Sequence, residues 1–533
     1  MHGLVRHTIV GAAVALVTSA GLLGVPHGSA PPTPASTVQR GVTADTTESD
    51  TVDTGASTDT TERRANVAAD SLVATMIDSL RVQRLYGNVQ VDQDSTRIRS
   101  ERAVRFLQAR EYLFTGNVVI FERGDTLTAD SVRYDETRKV GTARGNVRLT
   151  DGDLSVRAPS GRYFTEEKRS VFQEGVTLVD SASTLTSNAG EYFSDAERAE
   201  FYGDVRFEDA NTYLEADSVT YFRSTGNTIA RSRVFIRRKG GDASAASADT
   251  TTRTFLFGDF ARNEKTDNES RVRGNALLIQ IRADSVGASE DTLLVRAHRL
   301  RSSEVDSLRR LIAIDSVRIW QQDIAATADS VVYDRIAQGD TLQREETRLY
   351  ERPISWFEGS QVSGDTIRVK AQGRSVDTVH VYGSAFAAQR DTTLDKINQL
   401  KGRSMTAYFR NDSLRRINTA PNAQTIRFMK NDEGELDGAF KASADQIIMW
   451  FQAGAIRRVG VYRGVKSDVY GRELGPIPEP FQLEGFRWVP EQQPTKAGLL
   501  RDERVQDRLR GNVLVVRPVS EPREDPPRRA TNQ

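Results

Sequence analysis

This sequence predicts an all-β chain, elongated and solenoid-like, stacked from two-strand repeats, and three observations predict it. The phrase "LTADSVRY" at 127–134 returns as "VRAPSGRY" at 156–163, "LTSNAGEY" at 185–192 and "LEADSVTY" at 214–221, which places Tyr134, Tyr163, Tyr192 and Tyr221 at a step of 29 residues. Between the copies runs a second phrase, "GNVVI" at 116–120, "GNVRL" at 145–149, "GVTLV" at 175–179 and "GDVRF" at 203–207, with an earlier "GNVQV" at 87–91. Almost every other segment is short and alternates apolar with polar residues at period two, the pattern of a half-buried strand.

The elements follow in chain order. Residues 1–30 have a weakly basic start at Arg6, an apolar run from Ile9 to Val25 and small residues up to Ala30, the layout of a secretory signal peptide. Export is therefore expected, with an uncleaved anchor as the alternative reading. Residues 31–68 are rich in Pro, Thr, Ser, Ala and Asp, too polar to offset the entropy of ordering, and are expected to be a disordered linker. "AADSLVATMIDSL", 68–80, is expected to be a short capping helix. In each repeat one strand begins at the glycine, whose positive φ suits a turn, and the copies of "LTADSVRY" supply the other. Each repeat is expected to add about one rung per sheet. Residues 239–252, "KGGDASAASADTTT", read as a flexible loop, fragments of the repeat persist over 253–490, and 491–533 reads as a C-terminal tail.

Within the phrase a large residue, Leu127, Val156, Leu185 or Leu214, is followed two places later by a small one, Ala129, Ala158, Ser187 or Ala216. The tyrosine stands on the opposite parity from that leucine, so either a bulge or burial of both faces is required.

Composition narrows the chemistry. The 73 basic and 73 acidic residues balance, so charge gives no ground for a nucleic-acid partner. With no cysteine, the chain has no disulfide, thiol chemistry or cysteine-linked lipid anchor. The recurring Asp130, Asp217, Asp284, Asp329 and Asp445 suggest a carboxylate ladder, but Pro159 and Asn188 interrupt it, and no calcium-repeat signature is present. Beyond residue 30 only His298 and His380 remain, without partners at metal-ligand spacing. No nucleophile elbow or phosphate loop occurs, so neither catalysis nor a cofactor is expected.

The stretch "GNVVIFERGDTLTADSVRYDETRKVGTARGNVRLTDGDLSVRAPSGRYF" resembles the OstA-like (organic solvent tolerance) domain of the lipopolysaccharide-transport family, which includes LptA-type periplasmic proteins. The likeness is clearest over 81–237 and continues loosely through "RPISWFEGSQVSGDTIRV", "LKGRSMTAYF" and "FQLEGFRWVP". It implies an OstA-like β-jellyroll over 69–238, whose apolar trough carries acyl chains, and a second OstA-like region over 253–490. It also implies a periplasmic, non-enzymatic role with lipopolysaccharide or a related amphiphile as cargo. Other Lpt-type jellyrolls would be partners through edge-strand pairing, with an end-to-end oligomer as a further possibility. Residues at matching positions are the groove candidates: Val118, Ile120, Leu127, Val147, Leu149, Val176, Leu178, Leu185, Val205, Phe207 and Leu214. The competing reading is a structural or adhesive β-solenoid in which the same aliphatics fill a core.

Overall fold

The computed structural model describes residues 66–512 apart from 78–79, 94–95, 123, 152–153, 180–182, 211, 240–251, 283–290, 306–307, 323, 339–341, 373–374, 412 and 472–473. The signal peptide, all but the last three residues of the linker, the centre of the 239–252 loop and the end of the tail lie outside the described residues. The chain divides into two compact units, one containing residues 66–236 with 262–266, the other 237–261 and 267–512.

Antiparallel strands build the first unit: β1 (Asn66–Ala68), β2 (Ser71–Ile77), β3 (Leu80–Gln93), β4 (Thr96–Phe106), β5 (Glu111–Glu122), β6 (Asp125–Asp135), β7 (Val140–Asp151), β8 (Leu154–Phe164), β9 (Arg169–Gln173), β10 (Val176–Val179), β11 (Ser183–Ser187), β12 (Ala189–Phe193), β13 (Arg198–Asp209) and β14 (Thr212–Phe222). Two expectations are corrected at once. The segment 68–80 is no helix: β2 lies within it and pairs along β3, from Ser71 opposite Tyr86 to Ile77 opposite Leu80. Its alternation of small and apolar residues serves a strand as well as a helical face, and pairing with β3 decides between them. Residues 66–68 are likewise strand, paired with the far end of β3.

The glycine phrase does not open a strand; it bends one in the middle. In β5, Gly116 and Asn117 both have positive φ (80° and 45°), and this pair faces the single residue Asp130 of β6, because Thr115 lies opposite Ser131 and Val118 opposite Ala129. Gly87–Asn88, Gly145–Asn146 and Gly203–Asp204 repeat the left-handed pair, with Glu101, Pro159 and Asp217 opposite them. Two residues against one make a β-bulge, which turns the strand. Every long strand is thereby divided into two arms, and the arms form two strips joined along a crease. A 29-residue repeat therefore adds two rungs to each strip, not one.

The bulge also explains the recurring carboxylate. Asn146 donates from Nδ2 to Asp130 Oδ2 at 3.0 Å, Asn117 to Glu101 Oε1 at 2.7 Å and Asn88 to Asp70 Oδ2 at 3.0 Å. At the fourth copy Arg233 takes the place of the asparagine, its Nε 2.6 Å from Asp217 Oδ1. Pro159 cannot accept such a bond, and the next strand is split there into β9 and β10 at Glu174 and Gly175.

In the second unit the strands Glu269–Arg282, Asp291–Val305, Leu308–Gln321 and Ile324–Gln338 pair in sequence. Ile324–Gln338 then splits its pairing between Leu342–Tyr350 and Ile354–Phe357, so two strips are present here too. Residues 491–512, expected within a tail, are ordered: helices run over Lys496–Leu499 and Glu503–Asn512, and Leu499 and Val505 are buried. Together with 481–489 they form a belt across one strip. Gln361 and Gln399 hold it, each reading the backbone with both ends of its amide. The Gln361 Nε2 donates to the Arg487 carbonyl at 2.7 Å, and Oε1 accepts from Val489 N–H at 2.9 Å. Gln399 Oε1 accepts from Leu483 N–H at 2.8 Å. Phe386, Ala388 and Ile426 pack against Leu483, while Ala325, Ile354 and Trp356 pack against Val489.

Two predictions follow from these contacts. Gly145→Ala is expected to cost roughly 1–2 kcal/mol or more, because φ is +73° there and the new Cβ would fall on the Asp130 carboxylate, whereas Gly141→Ala, with its nearest neighbour 3.9 Å away, should lie within about 0.5 kcal/mol of wild type in urea unfolding. Gln361→Ala and Gln399→Ala should each cost about 1–3 kcal/mol by the same measurement, since each leaves a buried N–H of the belt unsatisfied.

Candidate functional site

The bulge sets which side chains of the first unit point inward. Next to the crease, Val118, Val147, Val176 and Val205 are at most 1% exposed, and opposite them stand the small residues Ala129, Ala158, Ser187 and Ala216. Two places further from the crease, register aligns one unbroken apolar row across nine arms: Ile98, Ile120, Leu127, Leu149, Val156, Leu178, Leu185, Phe207 and Leu214, each directly opposite the next. This is one wall.

The other strip supplies the facing wall. Its row nearest the crease runs Phe114, Val132, Ala143, Gly161, Phe172, Gly190, Phe201, Val219. Its outer row runs Tyr112, Tyr134, Gly141, Tyr163, Ser170, Tyr192, Ala199, Tyr221, so that from Tyr134 onward a small residue separates each tyrosine from the next. The tyrosine and the leucine of one phrase thus both face inward, on opposite walls; the crease falls between them at Asp130, which faces a bulged Gly-Asn pair on each neighbouring strand. A bulge is present, but on the two neighbouring strands and not within the phrase itself.

Between the walls lies a cavity of about 490 Å³ lined by Ile98, Ile120, Leu127 and Leu149 on one side and by Tyr112, Phe114, Val132, Tyr134, Ala143, Gly161, Tyr163 and Phe172 on the other. Farther along the rows the space shrinks to about 30 Å³, between Leu149, Val156 and Leu178 and the rings of Phe172, Tyr192 and Phe201. The eleven positions singled out from sequence therefore divide. Ile120, Leu127 and Leu149 line the large cavity and Leu178 the small one, while Val118, Val147, Val176 and Val205 are packed into the crease. Leu185, Phe207 and Leu214 continue the wall row where neither cavity reaches. The tyrosines of the aromatic wall carry a signal in the sequence, their 29-residue spacing with Gly141, Ser170 and Ala199 at the same spacing between them, which fits a groove lining or simple packing alike; Phe114 and Phe172 were not singled out.

Residues 66–217 match the family model described as OstA-like protein. Among solved structures, a chain of LptH from Pseudomonas aeruginosa is similar, at 14% identity and a TM-score of 0.13, covering 24% of this chain and 75% of that one. That structure is described as the LptA-homologous periplasmic component of the conserved lipopolysaccharide transport device. No curated protein matches.

In the OstA-like region the cavity rim is charged. The turns at 136–139 and 165–168 end in Lys139 and Lys168, both in the left-handed region (φ 57° and 48°), and both side chains border the cavity with Arg162, Glu122, Asp125, Glu136 and Asp195. Lys168 is paired with Asp195 at 2.8 Å. Among the described residues no group of three or more metal-ligating side chains is placed to hold an ion, and no helix is long and apolar enough to cross a membrane.

Burial, with the Glu136 charge adding to it, pushes the Tyr112 phenol up to about 12, and burial also raises Tyr134. An unfolded phenol ionises near 10, so between about pH 10 and 12 the unfolded chain loses a proton that the folded one keeps, and stability falls as pH rises. Tyr112→Phe is expected to lose less stability than wild type between about pH 9 and 11.5, read from urea unfolding at each pH.

Proposed function

We propose that this protein is a non-enzymatic, periplasmic carrier of lipopolysaccharide or a related amphiphile, and that the trough of the OstA-like region shields its acyl chains. The observation that carries the reading is the 490 Å³ cavity between an aliphatic and an aromatic wall, a volume within the usual range of ligand pockets. The apolar part of its lining has no protein partner across the space, and acyl chains would supply those contacts. The match of residues 66–217 to the OstA-like family supports the same cargo class. Lys139 and Arg162 at the rim suit an anionic head group that stays in water while the chains are buried.

The N-terminal edge suits a partner of the same architecture. β1 and β2 pair with β3 on one side and carry no charged residue, and Leu72 and Met76 of β2 are 56% and 71% exposed. An uncharged apolar edge is the surface to which a partner strand adds.

The experiment is binding of a fluorescent lipid A analogue to the purified full chain. Leu127→Glu, which places a carboxylate in the cavity, should weaken binding at least about tenfold, whereas Thr128→Glu on the opposite face of the same strand should change it less than about twofold. Equal effects of the two substitutions, or no saturable binding by wild type, would instead support a filled structural solenoid.

A further inference from the structure

The large and small cavities of the trough have two residues in common, Leu149 and Phe172. One belongs to the aliphatic wall and the other to the aromatic wall, so together they pinch the trough from both sides. Phe172 is 3% exposed and has glycine directly opposite it on both neighbouring strands, Gly161 on β8 and Gly190 on β12. Neither glycine has the positive φ that would require it for the backbone. Space is what requires them. A Cβ at residue 161 would lie 3.2 Å from the Phe172 ring and 3.5 Å from Val147, and a Cβ at residue 190 would lie 3.1 Å from the ring of Phe201. The Phe172 ring therefore packs over Gly161 while the Phe201 ring packs over Gly190, and Phe172 stands between a cavity that holds a ligand-sized space and one that holds almost none.

We propose that Phe172 is the specificity-determining residue of the trough, a gate that meets Leu149 and sets how far an acyl chain extends along the walls. The proposal rests on the acyl-carrier reading above. With the ring across the trough, a chain entering the large cavity ends at Phe172. When the ring turns away from Leu149, the two spaces join and a longer chain, or one moving along the trough, passes. Turning a phenyl ring needs a rotamer change that a Cβ at residue 161, 3.2 Å from the ring, would obstruct, so glycine there keeps the gate operable.

The test is a chain-length series: dansyl-labelled saturated fatty acids from about 8 to about 18 carbons, titrated into the full-length protein. Each methylene buried in the trough should tighten binding roughly fourfold until the chain reaches the gate, after which affinity levels off. Phe172→Ala joins the cavities and should move that levelling-off to chains at least about two carbons longer, while Gly161→Ala, which sets a methyl group against the ring, should leave it in place or move it to shorter chains. Phe172→Leu is the milder variant should Phe172→Ala not unfold cooperatively, and it should move the break in the same direction. A break at the same chain length in wild type and in the folded Phe172 variant overturns the gate while leaving the carrier reading standing. Absence of binding by wild type at every chain length overturns both.

Discussion

Everything in the OstA-like region depends on a bulge of two left-handed residues set against one. Were Gly116–Asn117, Gly145–Asn146 and Gly203–Asp204 ordinary strand, each long hairpin would be flat and its leucine and tyrosine would point to opposite faces. The left-handed pair costs backbone energy, and the facing side chain helps to hold it: Asp130 on Asn146, Glu101 on Asn117, Asp70 on Asn88. Because the bulge recurs every second strand at the same place, the bends line up and two walls arise from one set of strands.

Once the crease exists, side-chain size decides where the trough is open. Along the aromatic wall the row nearest the crease reads Phe114, Val132, Ala143, Gly161, Phe172. Three successive residues of decreasing size separate two phenylalanines, and all three border the 490 Å³ space. Beyond Phe172 the row reads Gly190, Phe201, Val219, and the Phe201 ring fills the gap over Gly190 as the walls close. The first stretch borders the 490 Å³ cavity, and the closed one is ordinary close packing.

The second unit uses the same crease differently. At the Gly274–Asn275 bulge the facing residue is His298, which gives that histidine a place in the architecture, not a site of its own. One of its strips is covered by the 481–489 segment, so Phe386, Ala388, Ile426 and Trp356 are buried on the face opposite Ala387 and Leu400. The two glutamine clamps replace the regular ladder that an extended belt lying across strands cannot form.

Much of this was legible in the residues alone. The 29-residue step, the all-β class, the aliphatic row from Ile120 to Leu214 and the absence of cysteine chemistry are properties of spacing and composition, and strand periodicity is strong enough to announce them. The residues could not say that Gly-Asn bends a strand instead of starting one, since a left-handed glycine serves both uses and only the register of the neighbouring strand distinguishes them. Nor could they say that Tyr134 faces Leu127 across a space, that Val118 is packed while Ile120 lines a cavity, or that 491–512 folds back onto the sheet. Those outcomes depend on which side chains stand opposite one another between strands distant in sequence, and that is decided only when the two walls close.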